Sequence, residues 1–380
     1  MKMNKVLMVG SLVSVLIFSS FSSVFAQPDV NSISSHSDIF IDSSVQGSDR
    51  KVLLNFMVDL EPNARENVVY EDANGKLYAN KPELLEKVFK FKKTSDNIFE
   101  TSDGKEGFAL PIDNLPSQIV LHNEQSKQDD NKTSVSSSVY KDSSCVAPSQ
   151  LEGEIGTQAT QHPCTGSTGP YRRVTSNANY SWQSHYVYLP GGSEIRDNNN
   201  KGSSSYNGDA GYVYVGGQGA NGGGVDAGLI HSTLYDNWGM LISVDGDPLG
   251  YAQRFKSKQN VNMKFSIPSS NNIALTVSGI DYTTNQNTTM TIGRQASGFI
   301  PGGGNILKRL TTIGQKPQNF HSGSYLHNAH WYNSLIGNSS TNYHTWSAAD
   351  TNASGTCSYT TDVVKVNYIN AGEETDNIDI

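Results

Sequence analysis

The chain has 380 residues, with 28 basic and 36 acidic side chains, a net charge of -8, 36% hydrophobic residues and 17% charged ones. That acidity repels a phosphate backbone and an anionic lipid surface, so nucleic acid and membrane surfaces are excluded as partners. The polarity comes from Asn, Ser, Thr and Gly more than from charge, a composition suited to an all-β exported protein with long loops.

The chain opens with Lys2 and Lys5, continues through an apolar core from Val6 to Phe18, and reaches the small-residue site Val24-Phe25-Ala26 before Gln27. This is the order of a secretory signal peptide, and its apolar core falls short of the ~20 residues a bilayer requires. Residues 1–26 are predicted to be cleaved. The lost segment carries two lysines and no acid, which leaves 26 basic against 36 acidic residues and a net charge of -10. No later stretch is apolar enough to span a membrane, so no membrane insertion is expected and the mature chain is placed outside the cell.

Residues 27–48, rich in Ser and Asp, are expected to be a disordered leader. Region 49–121 reads as a small mixed α/β region or propeptide. Its elements are a strand over residues 52–60, a helix over 82–91 with Asn80 and Glu83 as a capping pair, and a hairpin at Ser102-Asp103-Gly104. Residues 122–144, dominated by Gln, Lys, Asp, Asn and Ser, are expected to be a linker.

Residues 145–380 hold Trp182, Trp238, Trp331 and Trp346, and alternate apolar with polar side chains again and again. In Val261-Asn262-Met263-Lys264-Phe265-Ser266-Ile267 the Val, Met, Phe and Ile share one face and the Asn, Lys and Ser the other. Similar strands are predicted at 186–189, 211–215, 225–232, 240–244, 251–256, 273–278, 325–332 and 363–369, separated by Gly-, Pro- and Asp-rich turns. Only 305–313 carries a helical expectation. The predicted class is all-β: a two-sheet antiparallel β-sandwich of jelly-roll, concanavalin-like form, with the small mixed region before it.

Three cysteines, Cys145, Cys164 and Cys357, allow at most one internal bridge. Cys164 with Cys357 would join the start of the sandwich to its last strands and is the expected disulfide; Cys145 with Cys164 would close only a short loop. The Cys and His spacings of zinc or redox sites are missing, so no metal and no cofactor is expected. Gly217-Gln218-Gly219-Ala220-Asn221-Gly222 matches a dinucleotide fingerprint, but a strand and not a helix follows it, so it reads as a hairpin loop. Asp245-Gly246-Asp247 reads as an Asp-Gly turn, because the position of an EF-hand's bidentate Glu is held by Lys256.

Residues 225–232 are the best candidate for chemistry. One strand carries Asp226 and His231 on opposite faces, and Gly228 on the Asp226 face lets another group approach closely. With Tyr251 and Arg254 on neighbouring strands, a polysaccharide lyase has its parts: a cation for a uronate carboxylate and a His or Tyr to move the α-proton. A glycoside hydrolase needs two carboxylates about 5–10 Å apart. The only Glu between Tyr171 and Gly372 is Glu194, and no nucleophile elbow is present.

Sugar recognition needs aromatic faces beside hydrogen-bonding groups. The segments 235–238, 327–332 and 342–346 have that chemistry, and Tyr235, Trp238, Tyr343, His344 and Trp346 are the predicted ligand-binding residues. One or two tryptophans, Trp331 foremost, are expected in the core and at least one on the surface. The stretch Asp226-Ala227-Gly228-Leu229 with Ser232 and Trp238, then Lys308-Arg309, Asn328-Ala329-His330-Trp331 and the ending Val363-Val364-Lys365-Val366-Asn367-Tyr368, resembles the YrpD-like family of secreted Gram-positive bacterial proteins over roughly the last 200 residues. The resemblance implies export and a concanavalin-like sandwich, and brings no catalytic residues with it. The leading expectation is a secreted sandwich that binds an extracellular polysaccharide or cell-wall glycan. The alternatives are an extracellular lyase or hydrolase using Asp226, His231, Tyr251 and Arg254, and a surface or matrix interaction protein.

Overall fold

A computed structural model describes residues 38–95, 97–111, 161–162, 169–199, 208–232, 234–316, 321–358 and 362–380. The predicted signal peptide, the linker, Cys145 and Cys164 lie outside the described residues. Cys357 is disulfide-bonded. The short strand Gln161–His162 pairs with Thr351–Cys357, His162 opposite Cys357, two residues before Cys164 in the sequence.

Among the described residues the chain forms two large sheets and one small one. The front sheet runs Leu77–Ala79, Val68–Glu71, Asn287–Gln295, Asn272–Ile280, Gln259–Ser269, Trp182–Leu189, Tyr325–Ser339, Glu373–Asp379, Val364–Asn370. The back sheet runs Val88–Lys90, Asp247–Lys256, Asn237–Val244, Gly224–His231, Ala210–Gln218, Ile306–Gly314, Tyr171–Ala178, Thr351–Cys357, Gln161–His162. Apolar residues of the inward faces, such as Val187, Val213, Leu229, Met240, Phe265 and Leu275, close on one another as a single core. The predicted sandwich is therefore present, and each of the nine predicted strands lies within or overlaps an observed one.

Four local expectations are corrected. Residues 305–313 form no helix: Ile306–Gly314 is a strand between two others, and its Thr311, Thr312 and Ile313 are β-branched residues that suit a pleat. Residues 52–60 form no strand: residues 52–57 complete the helix Gly47–Met57, which buries Leu53, Phe56 and Met57 at helical spacing, and 58–60 form the turn after it. At 82–91 a 3₁₀ turn, Pro82–Lys87, gives way to the strand Val88–Lys90. Asn80 caps nothing there; its Oδ1 accepts from Val68 N at 2.9 Å and its Nδ2 donates to three carbonyls. The leader reading fails from residue 38 onward, where Ile39 and Ile41 are buried.

Residues 38–111 belong to the same compact unit as the sandwich. Val68–Glu71 adds to the front sheet parallel to Asn287–Gln295, and Val88–Lys90 adds to the edge of the back sheet. Phe99, Phe108 and Leu110 cover the outer face of the back sheet at Tyr212, Tyr214, Ile230, Leu241 and Leu310. On the front sheet the helix sets Phe56 over Gly293, where a β-carbon would lie 2.1 Å from the ring. Glu61 reaches Lys264 at 2.6 Å, and Ala64 O accepts from the Thr291 hydroxyl at 2.7 Å. Among the described residues, part of the outer front face is thus covered and the rest has no element laid over it.

Candidate functional site

The predicted catalytic residues do not form one site. Asp226 projects from the outer face of the back sheet and pairs with Lys308 at 2.7 Å. His231 is five residues further along the same strand, ~16 Å at the usual rise of a strand. What approaches Gly228 is the neighbouring strand: Val213 O would lie 2.2 Å from a β-carbon there, and the Cα and a ring carbon of Tyr214 2.9 Å each. His231, Tyr251 and Arg254 do meet, around a cavity of about 20 Å³ closed by Phe89, Phe91, Phe108 and Glu106. That volume holds about one water molecule and no sugar.

The chemistry of this pocket is also occupied. His231 Nδ1 lies 2.5 Å from Asp197 and Nε2 3.3 Å from Asp236. Burial alone would push the imidazole down, but the Asp197 carboxylate, with Asp236, raises it to about 9, so it is a held cation and no base at neutral pH. Burial holds the Tyr251 hydroxyl in its protonated form. Arg254 pairs with Glu106 at 2.9 Å, whose other oxygen takes the Ser232 hydroxyl at 2.5 Å. These contacts clamp the hairpin carrying Glu106 to the back sheet.

The predicted aromatic ligand residues divide in two. Trp238 and Trp346 are buried, as are Trp182 and Trp331, so the expected exposed tryptophan does not exist. Trp238 lies in the strand Asn237–Val244, not in a loop, and donates to Pro190 O at 2.9 Å; Trp346 donates to Thr351 at 3.0 Å. Tyr235, Tyr343 and His344 are exposed. Tyr235 sits in a turn of the back sheet, while Tyr343 packs on Trp182 at 5.2 Å and His344 pairs with Asp350 at 2.9 Å on the front sheet.

The open part of the outer front face joins Tyr332 and His330, from the singled-out segment 327–332, to Tyr186 and to polar residues that the sequence did not single out as ligand-binding. A depression of about 400 Å³ is lined by Glu66, Tyr186, Asn260, Asn262, Ser278, Asn287, Thr288 and Thr289. Tyr186 is 42% exposed, and its ring runs nearly parallel to that of Tyr332 at 5.5 Å and 27°. Tyr332 in turn stacks on His330 at 5.0 Å and 27°, and His330 pairs with Glu373 at 3.3 Å. Strand alternation turns Tyr186, Asn260, Asn262, Ser278, Thr289, His330 and Tyr332 outward, because Val187, Val261, Val277, Met290 and Trp331 beside them face the core.

A second polar group is sealed inside the sandwich. Arg172 clamps Glu374 with Nε at 3.1 Å and Nη2 at 2.6 Å, and Arg309 reaches the same carboxylate at 3.0 Å, with all three side chains at most 2% exposed. Burial pushes Glu374 up, but the two guanidinium groups outweigh it and hold the carboxyl below its usual range. Burial and the Glu374 charge raise Asp376 to about 7. His185 gives Nε2–H to Gln183 Oε1 at 3.0 Å and accepts from Ser334 on Nδ1 at 2.8 Å. Burial, with Arg309 nearby, keeps it neutral. Among the described residues no group of three or more His, Cys, Asp or Glu is arranged to hold a metal ion, and no helix is long and apolar enough to cross a membrane.

No protein-family profile matches the chain, and no curated protein is similar to it. Among solved structures, scytalido-glutamic peptidase with a peptide-based transition-state analogue is similar at 12% identity and a TM-score of 0.37, over 56% of this chain and 98% of that one. The structure of SCP-B, an eqolisin-family peptidase in complex with the tripeptide Ala-Ile-His, is similar at 12% identity and a TM-score of 0.35. So low an overlap says nothing about the chemistry of this chain.

Proposed function

We propose that this protein is exported and binds an extracellular glycan on the open part of its front sheet. The observation that carries the reading is the ring series of exposed Tyr186 and half-buried Tyr332 and His330 beside a depression lined by Asn, Ser and Thr side chains. The apolar face of a pyranose stacks on such rings, and its hydroxyls need short neutral donors and acceptors around them. Export is supported by Lys2, Lys5, the apolar core and Ala26.

The test is retention on a panel of insoluble cell-wall and plant polysaccharides, using the chain recovered from culture supernatant. Its N-terminus should be Gln27 or within a few residues of it. Tyr186→Ala with Tyr332→Ala should abolish retention and leave the melting curve unchanged, because both rings lie on the outer surface. If the wild type is retained on no polysaccharide, the reading is wrong.

A further inference from the structure

Five side chains of the open face stand in direct cross-strand register: Tyr332 opposite Tyr186, Tyr186 opposite Asn262, Asn262 opposite Ser278, and Ser278 opposite Thr289. They form one row across five neighbouring strands, ~19 Å long at the usual spacing of ~4.8 Å between strands. One strand spacing is close to the length of one unit of an extended hexopyranose chain. The row starts at an aromatic pair and runs into the depression that Glu66 borders.

Each member has a defined capacity. Asn262 uses its Nδ2 hydrogens on Ser184 Oγ at 3.0 Å and His185 O at 3.3 Å, which turns its Oδ1 into an acceptor for an incoming hydroxyl. Ser278 and Thr289 share one hydrogen bond at 2.9 Å, so one of their two hydroxyl hydrogens is left to donate outward. Among the described residues, the lining of the depression contains one carboxylate, Glu66, and no lysine or arginine. Lys264, on the same face one row away, is paired with Glu61 at 2.6 Å. An anionic glycan would meet a carboxylate and no cation.

Resting on the glycan-binding reading above, we infer that the ligand is a linear, uncharged polysaccharide lying perpendicular to the strands, with about four sugar units between Tyr332 and Thr289. The rings take the first units by stacking, and Asn262, Ser278 and Thr289 take the hydroxyls of those that follow.

The inference is tested by calorimetric titration of the intact mature protein with cello-, xylo- and manno-oligosaccharides from the disaccharide to the hexasaccharide, and with oligogalacturonates of the same lengths. For the neutral series that binds, each added unit should raise affinity by roughly threefold to tenfold, levelling off near the tetrasaccharide. Oligogalacturonates should bind at least about tenfold more weakly. The variant Asn287→Ala with Thr289→Ala, whose side chains lie at the far end, should lose the gain from longer chains and keep the disaccharide affinity. Affinity that is flat with length, or equal losses at all lengths in that variant, would overturn the crossing direction while binding itself stood. Tighter binding of oligogalacturonate would overturn the uncharged class. Failure of every oligosaccharide, together with no retention on polysaccharide, would remove the glycan-binding reading beneath it.

Discussion

Glu374→Gln tests whether the sealed charges inside the sandwich are held by mutual compensation. In the wild type one carboxylate faces two guanidinium groups, at 2.6 Å from Arg172 and 3.0 Å from Arg309, and water reaches none of them. The amide keeps the size and one acceptor oxygen, but it points an N–H₂ donor at a second donor and leaves two buried cations facing one titrating acid, Asp376. Breaking a buried pair by removing one partner typically costs about 3–5 kcal/mol, and this value applies because the pair is fully buried. The assay is urea unfolding followed by tryptophan fluorescence, since Trp331 and Trp346 flank the cluster on either side of His185. The midpoint should fall with little change in slope. Adding Arg309→Met should recover part of the loss, because it removes one uncompensated cation, so the two changes are non-additive. A loss below about 1 kcal/mol, or strict additivity in the double variant, would refute the compensation argument.

Two further outcomes follow from the sites above. Trp238→Ala should cost about 3–5 kcal/mol of stability, since it deletes a fully buried indole and orphans Pro190 O; a melting curve like the wild type's would mean the ring is not in the core. His231 has a folded-state value of about 9, above the ordinary 6.5 that it has when unfolded. Its contribution, about 3 kcal/mol, is therefore fully present below pH 6.5 and is lost as pH rises through about 9. Unfolding midpoints measured across that window should fall for the wild type and stay nearly level for His231→Gln, and equal slopes would sink the assignment.

The strands that were legible are those whose alternation is made of apolar residues on one side. Gln259–Ser269 is the clearest, with Val261, Met263, Phe265 and Ile267 inward. Two of the strands that the alternation does not show turn charge into the core. Tyr171–Ala178 sends Arg172 inward, and Glu373–Asp379 sends Glu374 and Asp376 to meet it. Each run taken alone has the acidic or basic look of a solvated segment, and Asp and Glu are poor strand formers. Only the pairing of segments 202 residues apart makes the charges acceptable. Ile306–Gly314 hides its strand in the same way, because Arg309 has the look of a surface residue until Glu374 is seen to face it.

The binding face was half legible. The pattern of one strand is enough to put Asn262, Lys264 and Ser266 on the side away from the core. It could not say which of them meet a ligand, because that depends on where residues 38–66 come to rest. Glu61 takes Lys264 and the Trp182 indole, and Phe56 takes Gly293, so those rows are closed. The row from Tyr332 to Thr289 meets that cover only at its far end, where Glu66 borders the depression and Asn67 Nδ2 donates to Thr289 O at 2.8 Å, and it combines rings with short neutral polar groups. The tryptophans misled for the opposite reason: an indole beside Asn, Asp or His in sequence has the composition of a sugar site, but its N–H can equally bond a carbonyl at a strand end. Trp238 does this with Pro190, and burial, not neighbour chemistry, decides between the two.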